Sequence, residues 1–152
     1  MGSMIKGHES PKISLIHLSQ AARYSVLALV YLSKREALCF ATDISKEMRL
    51  SPTFLAKVLQ RLAHARLVIG KRGLHGGYRL ALAAEKIILA DVVSAVDTAM
   101  KGERHCVLEM RACSAGRPCV MHHRLKKAEV GLWCALRTTR LSDIAADMLR
   151  PS

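Results

Sequence analysis

Residues 50–81 read LSPTFLAKVLQRLAHARLVIGKRGLHGGYRLA, and this stretch decides the fold. Its first part predicts a helix, because Ser51 is a favourable N-cap and Pro52 fits the first helical position. The apolar side of that helix carries Phe54, Leu55, Val58, Leu59 and Leu62 at helical spacing. The opposite side is polar and basic and carries Thr53, Lys57, Gln60, Arg61 and His64.

The second part of the stretch predicts a β-hairpin. Residues 67–69 and 78–80 have the composition of short strands, and the turn between them is basic and rich in glycine. A short helix, with Thr42 as its cap and Asp43 as an acid in its first turn, is expected to end near Met48 and to precede the longer one. Two helices joined by a tight turn and followed by a hairpin predict a winged helix-turn-helix, mainly α with a small β wing.

This fold predicts contacts with double-stranded DNA. The candidates are Thr53, Lys57 and Arg61 for the major groove, Ser51 and Tyr78 for phosphates, and Arg72 of the wing for the minor groove. A net charge of +12 on 152 residues indicates a polyanionic partner. Each residue alone also fits a solvated surface, and charge alone also fits a protein that binds RNA or an anionic membrane surface. The set as a whole favours DNA.

The flanking segments predict further helices. Ser19 is expected to cap a helix that runs to about Lys34, and another is expected from about Ala90 to Ala95. From residue 119 onward apolar residues recur every three or four positions, at Met121, Leu125, Ala128, Leu132 and Leu136. A helix this long beside so small a domain needs a partner, and the commonest partner is a second copy of the chain. We therefore predict a homodimer.

The chain divides into four predicted parts. These are a flexible N-terminus (1–17) that starts like an expression-vector remnant, a winged helix-turn-helix DNA-binding domain (18–97), a linker and cysteine loop (98–123), and a dimerisation helix with a short C-terminal helix (119–152). No apolar run reaches the roughly 18 residues that span a bilayer, and the start lacks an apolar signal core. We therefore expect a cytoplasmic protein with no membrane partner. Nothing resembling a catalytic triad, a phosphate-binding loop or paired carboxylates is found, so no enzyme activity is predicted.

Three cysteines lie close together. Cys106, Cys113 and Cys119 fall within fourteen residues, and His122 follows the last by three positions. The glycine and proline between them favour a loop, and cysteines in a cytosolic chain favour metal or redox chemistry over disulfides. Three interpretations are open: an iron–sulfur cluster, either [2Fe–2S] or [4Fe–4S], a tetrahedral zinc site, or redox-active thiols without a metal. The other two cysteines, Cys39 and Cys134, are expected to pack as small apolar side chains.

These segments together resemble the Rrf2 family of bacterial transcription regulators. The resemblance spans about residues 18–148 and rests on the opening Leu18-Ser19 and Arg23-Tyr24-Ser25, on residues 50–81, and on ILADVVSAVD at 88–97. It implies a dimeric winged helix-turn-helix protein in which each recognition helix and wing reads one half of a palindromic operator.

The resemblance also implies iron–sulfur chemistry at the cysteine loop. Many members hold a cluster on three cysteines there, and in some the fourth ligand is a histidine at the position that His122 fills. Members that sense nitric oxide instead use an acidic residue of the first helix, where this chain has Arg23, and an arginine cannot ligate iron. The resemblance therefore favours a [2Fe–2S] cluster with His122 as fourth ligand, although His105 and His123 lie near enough to replace it. We predict a repressor or dual regulator that senses redox, iron or cluster status and whose DNA affinity depends on the cluster. A zinc-stabilised or metal-free thiol regulator is the alternative.

Three features depart from the family pattern. The gap between Cys106 and Cys113 is one residue longer than usual. Ala56 stands where some members have an acid that governs DNA sequence choice, and the wing reads LHGG at 74–77 where Pro-Gly-Gly-Gly is usual. The operator sequence of other members is therefore not carried over to this chain.

Overall fold

The computed structural model describes residues 18–97 and 120–148. In chain order the elements are α1 (Gln20–Ser33), α2 (Ala41–Glu47), α3 (Pro52–His64), β1 (Val68–Lys71), β2 (Gly77–Leu80), α4 (Leu89–Val96), α5 (Val120–Thr138) and α6 (Leu141–Asp147), with a 3₁₀ turn at Ala84–Lys86. The predicted class, mainly helical with a two-stranded wing, is confirmed. The N-terminal segment and the three clustered cysteines lie outside the described residues.

Helix α1 is the centre of the domain. Ser19 caps it as predicted, since its Oγ accepts a hydrogen bond from the backbone N–H of Ala22 at 3.0 Å. Its buried face, which includes Ala28 and Leu29, packs against α3, α4 and α6. Alanine on this face lets the neighbouring helices approach closely, so the aliphatic core forms around α1.

The turn between α2 and α3 is held by backbone and side-chain hydrogen bonds. The buried Ser45 hydroxyl donates to the carbonyl of Leu50 at 2.8 Å, and Arg49 adopts a positive φ of 52° within the turn. Helix α3 begins at Pro52 as predicted. The predicted cap of α2 was wrong: the helix begins at Ala41, with Phe40 in the N-cap position and no side-chain cap bond. Residue 43, an aspartate, still lies in the first turn and interacts favourably with the helix dipole.

The wing is an antiparallel hairpin that is fastened to the helical core. β1 pairs with β2 in a register that runs from Val68 opposite Leu80 to Lys71 opposite Gly77. Cys39, from the segment between α1 and α2, forms an isolated antiparallel bridge with Tyr78 of β2. Its N–H donates to the carbonyl of Tyr78 at 2.9 Å, and the N–H of Tyr78 donates back to its carbonyl at 2.8 Å.

Helix α5 is attached to the domain by its C-terminal end. Leu136 is buried there, and the N–H of Leu89 donates to the carbonyl of Thr139 at 3.1 Å. Farther from this anchor the helix leaves apolar side chains uncovered, with Val120 76% exposed and Val130 62% exposed. Within the predicted apolar stripe, Leu136 is buried and Leu132 packs against the core. Met121 is 41% exposed and Ala128 is exposed, so the stripe meets the described part of the chain mainly near the C-terminal end of α5.

Candidate nucleic-acid interface

The outer face of α3 carries a polar stripe. Thr53, Lys57, Gln60 and His64 are all exposed and are spaced four, three and four residues apart, which places them on one side of the helix. The opposite side is buried through Leu55, Val58, Leu59 and Leu62. The polar side chains of the helix therefore point outward. Its apolar face is buried against the core, which fixes the orientation of the helix.

Tyr24 of α1 holds the N-terminal end of α3. The backbone N–H of Ser51 donates to the Tyr24 hydroxyl at 3.3 Å, and the Tyr24 ring meets the Phe54 ring edge-on, with centroids 5.1 Å apart. Tyr24 is buried, so its side chain is part of the hydrophobic core. Ser51 makes no side-chain cap bond and is exposed, which leaves its hydroxyl free to meet a phosphate.

Arg61 lies on a flank of α3, on the side that Phe54 and Val58 also occupy. Its Nη1 donates a hydrogen bond of 2.8 Å to the backbone carbonyl of Val96, the last residue of α4. The guanidinium group is therefore engaged within the domain. The contact with the major groove that the sequence suggests for Arg61 stays a prediction, and the stripe contains Gln60 and His64 in addition.

The wing places its basic residues at its exposed end. Arg72 follows β1 directly and is exposed, as is Lys71. Tyr78 is half-buried, with its backbone bonded to Cys39 and its ring against Gly70. Two of the predicted DNA contacts thus lie on the same hairpin, Arg72 near its turn and Tyr78 near its base.

Helix α3 and the wing share a strongly positive charge. No Asp or Glu occurs between Glu47 and Glu85, whereas this interval holds seven Lys and Arg residues. The whole of α3, β1 and β2 lies within it. A surface built from these elements attracts polyanions and repels few of their phosphates, which is the electrostatic pattern of a nucleic-acid-binding face.

Of the predicted metal ligands, only His122 falls within the described residues. It lies in the first turn of α5 and is partly buried, and its ring lies edge-on to that of the exposed His123 with centroids 6.0 Å apart. Across residues 18–97 and 120–148, no three His, Cys, Asp or Glu side chains are grouped to hold a metal ion. Cys106, Cys113 and Cys119 lie outside these ranges.

The two remaining cysteines have different environments. Cys39 is buried as predicted, and burial raises the pKa of its thiol. The prediction for Cys134 was wrong in the described part of the chain, where it is exposed on α5. Both cysteines have apolar neighbours in the sequence, so the sequence alone does not show which of the two side chains faces the core.

Alkylation should separate these two thiols. In the folded protein, iodoacetamide at about neutral pH is expected to label Cys134 faster than Cys39, because the reactive thiolate is both disfavoured and inaccessible at Cys39. Peptide mass spectrometry would assign the labelled sites. In urea both cysteines should react, and rapid native labelling of Cys39 would contradict its burial.

The helix pair α2 and α3, with the wing that follows, defines a winged helix-turn-helix protein. The sequence model of the Rrf2 family, described as an iron-dependent transcriptional regulator, matches residues 18–147. The chain therefore belongs to the Rrf2 family, whose members are transcription regulators and not enzymes. No helix in the described ranges combines the length and the apolar character needed to cross a membrane.

Known relatives agree with this assignment. The HTH-type transcriptional regulator IscR of Cereibacter sphaeroides is 30% identical over 139 residues, which cover 88% of this chain and 90% of the relative. Among solved structures, the oxidized form of Staphylococcus aureus CymR superposes with a TM-score of 0.67 at 23% identity, covering 86% of this chain and 96% of that one. T. potens IscR gives a TM-score of 0.69 at 20% identity, covering 90% and 93%. The structures support the fold, and the sequence relative supports a transcription regulator of this type.

Proposed function

We propose that this chain is a homodimeric DNA-binding repressor or dual regulator whose affinity for its operator depends on an iron–sulfur cluster held by the cysteine segment, residues 98–123. The proposal that the chain binds DNA rests on the surface of α3 and the wing. This surface has no carboxylates and is rich in exposed hydrogen-bond donors. The proposal for the cluster rests on the donor set of the cysteine segment, on His122 and on the resemblance to IscR.

The stripe on α3 is suited to the major groove. Thr53, Lys57, Gln60 and His64 offer donors and acceptors that reach base edges, and α3 is the second helix of the helix-turn-helix pair, which lies in the groove in this class. Ser51, at the N-terminal end of the helix, is placed to contact phosphate. Arg72 and Tyr78 of the wing extend the contact to the adjoining backbone and minor groove.

Removing one stripe cation should weaken DNA binding measurably. Lys57→Ala is expected to lower operator affinity about tenfold and to reduce the slope of log K against log salt by about 1, because one phosphate-neutralising charge is lost. Titration by fluorescence anisotropy at three salt concentrations would measure both. Lys86→Ala, an exposed cation outside the stripe and the wing, is the matched control. Equal effects from the two substitutions would argue against the stripe.

A second copy of the chain is the proposed partner of α5. The apolar side chains exposed toward its N-terminal end, Val120, Met121 and Val130, are not covered by the described residues. A helix of 19 residues is about 28 Å long, enough to pair along most of its length with its counterpart in a second protomer. Such pairing presents two α3 helices related by a two-fold axis, which a palindromic operator matches.

The donor set of the cysteine segment fits an iron–sulfur cluster. Three thiolates are soft ligands that suit iron–sulfur clusters or zinc, and His122 adds an imidazole three residues after Cys119. The N-terminal end of α5 carries the positive end of the helix dipole, and Arg124 adds charge, so both favour anionic thiolates nearby. When bound, a cluster supplies a one-electron redox couple. The chain's own part would be to hold it on the cysteine segment, which follows α4 and precedes α5 in the sequence.

The alternative is a zinc-stabilised or metal-free thiol regulator, since three cysteines and a histidine also form a tetrahedral zinc site. Anaerobic purification with iron, sulfide and zinc analysis separates the two. DNA binding is then compared between the protein with and without its cluster. Stoichiometric zinc in colourless protein would favour the alternative, and equal affinity in both states would rule out a cluster-dependent switch.

A further inference from the structure

The tip of the wing is a tight turn that holds one leucine almost fully in solvent. The N–H of Gly76 donates to the carbonyl of Gly73 at 2.9 Å, which closes a β-turn with Leu74 and His75 as its central residues. Leu74 is 90% exposed, more than any other large apolar residue in the described ranges. The turn therefore presents apolar surface that burial against a partner would stabilise.

The turn is fastened to α3 through the hairpin. The backbone packs closely around Gly76, where an added Cβ would clash with the carbonyl oxygens of Lys71 and Gly73. At the base of the hairpin, the N–H of Leu67 donates to the carbonyl of Leu62 at 3.0 Å, and β1 packs against α3. The tip thus keeps a defined position relative to the stripe when α3 lies in the major groove.

The surroundings of Leu74 suit the minor groove of DNA. Arg72 precedes the turn and is exposed, and no Asp or Glu lies between Glu47 and Glu85 to repel phosphates. The minor groove is about 6 Å wide, so it admits a narrow turn more readily than a helix. Its walls are deoxyribose carbons, against which an apolar side chain can be buried, and proteins that bind this groove frequently insert leucine into it.

We infer that Leu74 selects an A·T pair at the point where the wing enters the minor groove. This role rests on the proposed DNA-binding function and adds sequence selection to it. Guanine carries a 2-amino group that projects into the groove, and an apolar side chain both meets it sterically and leaves its N–H without an acceptor. An A·T pair has no such group, and its adenine N3 and thymine O2 are acceptors that suit the guanidinium donors of Arg72.

The first experiment finds the base pair that Leu74 contacts. Full-length wild-type and Leu74→Ala protein each select binding sites from a random duplex library. Wild type is expected to enrich A·T at one position beside each half-site, and Leu74→Ala is expected to lose that enrichment while keeping the rest of the site. Enrichment of no sequence by wild type would show that the proposed DNA-binding function fails. The same A·T enrichment by both proteins would overturn the role of Leu74 alone.

Fluorescence anisotropy with three duplexes then tests the cause of the preference. The selected position is A·T, G·C or inosine·cytosine, and wild type should bind the G·C duplex about tenfold more weakly than the A·T duplex. Inosine lacks the 2-amino group of guanine, so its duplex should regain the affinity of A·T. In Leu74→Ala the ratio of A·T to G·C affinity should fall to within about threefold of one, with an unchanged salt slope because no charge is lost. Failure of inosine to restore binding would overturn the inference.

Matched variants separate side-chain chemistry from a change in wing structure. Leu74→Met keeps an apolar side chain and should keep the ratio. Leu74→Asn has nearly the size of leucine and an amide oxygen that accepts from guanine, so it should bind G·C as tightly as A·T. Leu82→Ala removes another leucine, 45% exposed just after β2, and should leave the ratio unchanged. Thermal unfolding verifies that each variant is folded, and an equal loss of the ratio in Leu82→Ala would overturn the inference.

Discussion

Gly77→Ala is expected to detach the wing and to cost about 2 to 4 kcal/mol of folding free energy. Gly77 has a φ of +136°, which side-chain-bearing residues rarely adopt, and a Cβ built there would lie 2.7 Å from the carbonyl oxygen of Cys39. The obstructing atoms belong to backbone, so no side chain can turn aside. The backbone that must move is that of Cys39, which bonds Tyr78 to the helical core.

Gly73→Ala is the matched control for this prediction. Gly73 also has a positive φ, +104°, but nothing lies within 4 Å of its added Cβ, so its alanine carries backbone strain alone, about 1 to 2 kcal/mol. Urea unfolding would give both free energies. Because a detached wing cannot place Arg72, Gly77→Ala should also weaken operator binding more than Gly73→Ala does. Equal stability of the two variants would show that the contact with Cys39 does not fasten the wing.

Local signals were sufficient to predict the elements around the wing. Ser51-Pro52 predicted the start of α3, and the glycine-rich turn after β1 predicted the hairpin, because cap and turn preferences depend on neighbouring residues. The start of α2 was missed for a related reason. Thr42 is the better intrinsic cap, yet the N-cap position is occupied by Phe40, two residues earlier. Tertiary packing overrode a local preference there.

The contacts that organise the site were beyond sequence reasoning because they join distant residues. Tyr24 reaches Ser51 across 27 positions, and no pattern within α1 reveals that its hydroxyl meets the entrance of α3. The side chain of Arg61 looks in the sequence like any exposed cation of α3, and only the docking of α4 gives it a partner. Helical periodicity did contain one neglected signal. Gln60 and His64 were placed on the polar side of this helix from the sequence but were not named as DNA contacts, although they continue the spacing of Thr53 and Lys57.

Cys113→Ala protein, purified without oxygen, is expected to lack the iron, sulfide and visible absorption that we predict for wild type. A cluster that loses one of three thiolate ligands loses both a strong bond and a negative charge that balances the iron, so it does not survive isolation. The same result is expected for Cys106→Ala and Cys119→Ala. Cys39→Ala and Cys134→Ala are the controls, because Cys39 is buried in the core and Cys134 lies well along α5.

His122→Ala and His123→Ala form a second matched pair for the same proposal. His122 is partly buried and His123 is exposed, yet the two differ by one position, so both substitutions remove the same chemistry from the same turn of α5. If His122 is the fourth ligand, its loss should leave a cluster that is bound through three thiolates, shows a shifted absorption spectrum and decays faster in air, while His123→Ala behaves as wild type. Identical behaviour of the two variants would remove His122 from the ligand set. Retention of a full cluster in Cys113→Ala would show that Cys113 is not a ligand and would overturn the ligand set proposed here, while the proposal for the DNA-binding surface would be unaffected.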